Sequence, residues 1–339
     1  MSLREVVDAA IGTLCTACVV RVERSGAVEV YAAGSLCPDP DAPPDGTCTA
    51  DSVFDLASLT KLTTTALLLS LVRERVLTLE TPLRELIPEF RGGRKDDVTL
   101  RQVLTHTAGL RWWKPLWEEA RSIDEAVWLA AAEPLSQDVG TFTYSDLGYV
   151  MLTAGLARAG GDDFRALIRT RVLAPVEATT CDFLPADPAR CAATERDGAW
   201  RGRRLRGEVH DENAFAMGGV AGHAGLFGTA ADVAGIGRIF RDGAVIGNEL
   251  ASLARTEHAR GENVRRGLGL ALRAPDRPMV GRHFGVDTFG HTGFTGTSLW
   301  VDPDAELTVV LLTNRVYFGR TNDDAMYRFR IAVHEAVSG

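Results

Sequence analysis

Residues 17–22 and 27–33 are short, Val-rich, mostly apolar runs with Ser25-Gly26 between them, a pattern that predicts two strands joined as a hairpin. Ahead of them, residues 3–13 carry helical spacing. Residues 56–77 are apolar on almost every face, interrupted by Ser58, Lys61 and several threonines and closed by Arg73-Glu74-Arg75. A helix that is apolar all round is a buried one. Helical patterns follow at 124–132, 147–157 and 164–172, divided by Pro and Gly loops. The pattern then returns to strands at 267–272, 289–291, 298–301 and 307–312, and residues 326–337 read as a closing helix. The stretch 37–48, with four prolines and three aspartates, reads as an irregular crossover.

Strands at both ends and helices between them predict an α+β fold: one antiparallel sheet built from both termini and flanked by helices, with a helical subdomain inserted into it. Residues 1–79 and 235–339 are expected to form the sheet unit and 80–234 the mostly helical one, with an active site where the two meet. No repeat or low-complexity linker divides the chain.

Composition narrows the function classes more than the fold. The 339 residues are 45% hydrophobic and 24% charged, which is ordinary for a folded globular chain. A formal net charge of −8 excludes a polyanion as the main ligand, since nucleic-acid binding rests on a basic footprint. Six cysteines are too few for a disulfide scaffold of this length. Cys15 and Cys18 have redox or zinc spacing, but without a second such pair they read as small buried residues. The first residues carry Glu5 and Asp8 before any apolar stretch and do not read as a signal peptide. No run of apolar residues is long enough to span a membrane. The expectation is a cytoplasmic protein, or a periplasmic or secreted one if a leader precedes this sequence.

Ser58-Leu59-Thr60-Lys61 places a hydroxyl and an amine on one helical face. A serine hydroxyl needs a neighbouring group to activate it, and burial at the head of an apolar helix favours the neutral amine of a lysine. The chain has three lysines, Lys61, Lys95 and Lys114, and otherwise uses arginine. Arginine could not give up a proton here. The helix N-terminus would also direct backbone N–H groups at an oxyanion forming beside Ser58.

Several stretches in order resemble one family. Phe54-Asp55-Leu56-Ala57-Ser58-Leu59-Thr60-Lys61, Leu104-Thr105-His106-Thr107-Ala108-Gly109-Leu110, Tyr144-Ser145-Asp146 and His291-Thr292-Gly293 are similar to motifs of the serine β-lactamase and D-alanyl-D-alanine peptidase superfamily. Val209-His210-Asp211-Glu212-Asn213-Ala214 and Gly222-His223-Ala224-Gly225-Leu226-Phe227 resemble further stretches of its class C β-lactamase-like branch, which includes esterases and D-amino-acid amidases. The resemblance implies a β-lactamase/transpeptidase-like fold and an acyl-enzyme on Ser58. Lys61 would hold the proton network. Tyr144 would shuttle the proton, a role that calls for positive charge nearby, and the backbone N–H groups of Ser58 and Phe294 would form the oxyanion hole.

Two positions depart from the family pattern. Asp146 stands where many relatives have Asn, and as an anion it would favour Lys61 as a cation. His291 replaces a lysine that in many relatives helps hold the substrate carboxylate, and neutral imidazole does this less well. With Thr292 and Gly293, these residues are expected on the substrate side of the site. Arg315 could supply a carboxylate fork or form a surface salt bridge. Trp112, Trp113 and Trp117 read as filling a core beneath a loop, and His106 and His223 as imidazoles bonding backbone carbonyls. His106, His210 and His223 lack the spacing of a metal site, and the glycines of 218–222 suit tight turns.

The reading is therefore a cofactor-free serine acyl hydrolase acting on a small ester, amide or D-amino-acid peptide. A class C-like β-lactamase or D,D-carboxypeptidase is one alternative, and a non-catalytic penicillin-binding or scaffold protein is another. The oligomeric state is not legible.

Overall fold

The computed structural model describes residues 1–39, 46–275 and 279–338. Among the described residues the central feature is an eight-stranded antiparallel sheet. Its strands are β1 (Ala17–Arg24), β2 (Ala27–Gly34), β3 (Ala259–Gly261), β4 (Val264–Arg266), β5 (Ala271–Leu272), β6 (Phe289–Thr292), β7 (Ser298–Asp302) and β8 (Leu307–Thr313). They lie in the order β2-β1-β8-β7-β6-β5-β4-β3, so the N-terminal hairpin adds to the last strand of the chain. The hairpin turns at Ser25 and Gly26, both with positive φ (48° and 85°), the geometry that matches the twist of the flanking strands.

Both faces of the sheet are buried at its central strands, and the period-two pattern divides them. Val20, Val22, Trp300, Val309 and Leu311 pack with helices α1 (Leu3–Ala10) and α6 (Asp323–Ser338). Val19, Leu299, Val301, Val310 and Leu312 face the main core, which also takes in α2 (Thr60–Arg73), α3 (Ile123–Ala132), α4 (Leu147–Gly160) and α5 (Ala230–Arg241). Helix α2 is buried around its whole circumference, Lys61 included.

The elements depart from the predicted spans in identifiable places. The first helix ends at Ala10, where Ile11 turns extended, rather than at residue 13. Residues 267–270 form a turn and not a strand; Gly269 (φ 67°) lies so close to α2 that a Cβ would sit 2.1 Å from Thr65 Oγ1. Strands β3 and β4, which the residue pattern does not announce, continue the sheet beyond it. The helix at 164–172 begins as Phe164–Leu167 and continues as a wider π turn, Ile168–Leu173. Part of the crossover, residues 40–45, lies outside the described residues. No helix among the described residues is long and apolar enough to cross a membrane.

Candidate active site

Ser58 sits in a one-turn 3₁₀ segment, Ala57–Leu59, between a two-residue strand (Phe54–Asp55) and α2. Ala57 has φ of 46°, uncommon for a residue with a side chain, and such strain persists only where the surroundings impose it. Asp55 imposes it here. One carboxylate oxygen accepts from Ala57 N–H (2.8 Å) and the other from His210 N–H (2.7 Å). Burial pushes the Asp55 carboxyl up, and these two donors oppose that rise.

The loop after β6 is tied to the same turn. Thr295 Oγ1 donates to the Asp55 carbonyl (2.7 Å) and Thr297 Oγ1 to the Leu56 carbonyl (3.1 Å). A Cβ at Gly293 would lie 2.6 Å from the Leu56 carbonyl oxygen, so only glycine allows the two segments to approach this closely. Phe294 follows, and its N–H makes no hydrogen bond among the described residues. The spacing between the Ser58 and Phe294 amides is thereby fixed by hydrogen bonds on both sides.

Lys61 is fully buried; its ammonium lies 2.9 Å from Ser58 Oγ, 3.1 Å from the His223 carbonyl and 2.7 Å from Asp146 Oδ1, with the Tyr144 side chain also beside it. Burial works to lower its pKa. The charge of Asp146 and the neighbouring Tyr144 outweigh burial and hold it above 10.5. Of the two expectations for Lys61, burial favouring the neutral amine and Asp146 favouring the cation, the geometry supports the second: an ammonium that donates to the Ser58 oxygen.

Tyr144 stands among these groups. Its ring lies 5.1 Å from Lys61 Nζ and 5.3 Å from the Arg266 guanidinium, and the His106 ring packs on it at 4.4 Å. His106, with φ of 58°, accepts from Ser145 N–H through Nδ1 (3.1 Å), so its imidazole holds a backbone amide rather than the carbonyl expected. The Asp146 N–H donates to the Trp112 carbonyl (3.0 Å) and Ser145 Oγ to the Arg111 carbonyl (2.7 Å). The tyrosine turn is in this way fastened to the 106–112 segment.

His291 donates through Nδ1 to the Thr292 carbonyl (2.8 Å). Burial and the nearby charges of Arg266 and Lys61 hold its pKa well below the usual histidine range, so the ring is neutral. The cation at this wall is Arg266 instead, on β4. Its Nε is buried without a hydrogen-bond partner, and no carboxylate pairs with it among the described residues. Arg315 is buried, donating to the Phe294 carbonyl (2.7 Å) and Asn322 (2.8 Å) and pairing with the exposed Asp323 (2.6 Å), so of the two readings the salt bridge is the one present and the fork is not free.

A cavity of about 1030 Å³ is lined by Ser58, Tyr144, Asp146, His291, Thr292, Gly293, Phe294 and Arg266, and by Trp112 and Trp113. Trp112 is 64% exposed, a correction to the expected core packing, while Trp117 packs on Trp200. The site residues predicted from sequence line this cavity except Lys61, which is buried behind Ser58 and Asp146. Asp55, Arg266 and Trp112 were not foreseen as site residues. The signal for Asp55 was a lone acid inside an apolar run, and for Arg266 there was none.

The family model described as Beta-lactamase matches residues 13–333. The chain belongs to the beta-lactamase family. Over 302 residues (78% of this chain and 68% of the relative) it is 30% identical to an N-acetylmuramyl-L-alanine amidase of Bacillus subtilis. It is 29% identical to esterase EstB of Burkholderia gladioli over 342 residues (85% and 82%). Among solved structures, EstCE1, a hydrolase with promiscuous acyltransferase activity, superposes with a TM-score of 0.83 at 22% identity, covering 99% of this chain and 97% of that one. The protein is a serine hydrolase of the beta-lactamase family with that family's mixed α/β fold.

Proposed function

We propose that Ser58 is the nucleophile of an acyl-enzyme hydrolase whose substrates are small esters, amides or D-amino-acid peptides. The observation that carries the reading is the contact of the fully buried Lys61 Nζ with Ser58 Oγ at 2.9 Å. As Ser58 Oγ attacks the acyl carbon, its proton passes to the Tyr144 oxygen while the Tyr144 hydroxyl proton passes to the leaving group, so the tyrosine ends unchanged. The Lys61 ammonium stabilises charge on the serine oxygen, and the amides of Ser58 and Phe294 take the oxyanion. Water then enters where the leaving group stood and reverses the relay, releasing the acid. The chemistry uses side chains and backbone only.

The walls of the cavity suggest two substrate features. Trp112 and Phe294, 64% and 44% exposed, offer an apolar surface, and the unpaired Arg266 fork suits a carboxylate. The test is hydrolysis of p-nitrophenyl butyrate together with mass spectrometry after fluorophosphonate treatment. Turnover and a covalent adduct on Ser58, both lost in Ser58→Ala, are expected. Turnover that survives in Ser58→Ala would refute the assignment.

A further inference from the structure

Lys61 has two polar anchors whose roles are plain, the oxygen it activates and the carboxylate that keeps it charged. The third acceptor, the His223 carbonyl, is neutral and comes from a distant segment. A carboxylate attracts an ammonium more strongly than a hydroxyl does, so without a third fixed acceptor the ammonium would swing toward Asp146 and away from Ser58. The position of that carbonyl therefore matters to the reaction.

The segment that carries it is held from two sides. On the helix side, Thr64 Oγ1 donates to the Gly222 carbonyl (2.8 Å), Gly222 N–H donates to Thr153 Oγ1 (2.8 Å), and Leu226 N–H donates to Thr60 Oγ1 (3.2 Å). On the cavity side the anchor is the His223 side chain itself. Its Nε2 lies 2.8 Å from Asp211 Oδ1, and that carboxylate also accepts from Ala214 N–H (2.8 Å). The imidazole is 1% exposed. Burying an imidazole and a carboxylate beside a reactive cleft is unfavourable unless they pair. Burial raises the Asp211 pKa, but His223, the Ala214 amide and the charge of Lys61 outweigh it and keep the group an anion.

We infer that Asp211 and His223 form a positioning pair that holds the His223 carbonyl in place and so keeps the Lys61 ammonium on Ser58. Neither side chain touches Ser58, so both act through the lysine. The inference rests on the assignment of Ser58 and Lys61 made above.

The test is steady-state kinetics on the full chain with a neutral p-nitrophenyl ester, using His223→Ala, Asp211→Ala, the double variant and His223→Gln. Each single alanine change is expected to lower kcat about tenfold, with KM within about twofold. The double variant is expected to lose no more than either single one, because both changes break the same link. His223→Gln, which keeps a donor toward Asp211, should recover most of the rate. Additive losses, an effect confined to KM, or an unchanged kcat in His223→Ala would each overturn the pair. Should the alanine variants fail to fold, His223→Phe, which fills the space but has no donor toward Asp211, takes the place of His223→Ala and is expected to lower kcat about tenfold while His223→Gln does not. Failure of the parent protein to label at Ser58 with fluorophosphonate would instead overturn the underlying assignment, which separates the two outcomes.

Discussion

The inner end of the cavity, at the head of α2, and its outer wall, at β4, each hold a cation out of bulk water, and they treat it in opposite ways. Lys61 donates to Ser58 Oγ and the His223 carbonyl and faces a carboxylate at 2.7 Å. Arg266 has two aromatic rings for neighbours, Tyr144 at 5.3 Å and Phe142 at 5.6 Å, and no carboxylate among the described residues. A charge removed from water without a counterion destabilises the fold. A charge so placed in the wall of a reactive cleft has donors left for what enters it. On the proposed function, the first cation belongs to the machinery and the second to recognition.

The strongest way to break this contrast is to remove the first cation. Lys61→Met is expected to reduce ester turnover by about 10³-fold or more, the scale seen when one member of a cooperating catalytic set is lost. It should also destabilise the fold by about 3–5 kcal/mol, because Asp146 is left with its carboxylate beside an apolar side chain. Denaturant unfolding alongside the rate measurement checks both. Arg266→Met should show the reverse balance. Stability is expected to stay level or rise, since an unpaired charge is replaced by a side chain of similar length. Turnover of a p-nitrophenyl ester bearing a terminal carboxylate should fall about 10- to 100-fold relative to its uncharged counterpart. Equal losses on both esters would remove Arg266 from substrate recognition.

Asp146→Asn sharpens the comparison by making the first cation resemble the second. Lys61 in the folded protein is held above its ordinary 10.5, chiefly by Asp146 acting against burial. A group with a raised folded pKa contributes stability that is present in full below pH 10.5 and is lost as pH climbs through the folded value. The amide removes most of that contribution, so the variant should be less stable at neutral pH by about 1–3 kcal/mol. Its stability should also fall less than that of the parent as pH rises above 10.5. Activity should decline at a lower alkaline pH, because the ammonium is lost sooner. A pH–rate profile whose alkaline limb does not move would show that Asp146 is not what keeps Lys61 charged.

How far this was legible in the sequence depends on whether the signal was local. The burial of α2, the N-terminal hairpin and the last three strands follow from periodicity, and the structure puts them where that pattern does, within two residues at most strand ends. Ser58, Lys61, Tyr144, Asp146 and His291 were found because ordered motifs carry them. What periodicity could not supply is orientation through space. Val264-Arg265-Arg266 looks like any polar stretch, and only the pairing of β4 with β5 turns Arg266 toward Tyr144. The positive φ at Ala57 and at His106 leaves no composition signal, since neither residue is glycine. Trp112 was misread because clustered tryptophans usually fill a core, while here the preceding turn carries the ring to the mouth of the cavity.

That tryptophan gives the smallest and most local prediction. Its carbonyl holds the Asp146 amide at 3.0 Å while its ring is 64% exposed, so backbone and side chain serve different ends. Trp112→Ala keeps the carbonyl and therefore the Lys61–Asp146 contact; kcat on p-nitrophenyl acetate should be unchanged. An aromatic acyl group would lose the apolar surface it covers. At about 25 cal/mol per Å², some tens of Å² of lost contact correspond to a KM increase of about three- to tenfold for a p-nitrophenyl phenylacetate, with stability unaltered. If both esters lose kcat equally, the ring is supporting the turn that carries Asp146, and the outer wall reaches further into the machinery than the contrast between the two cations allows.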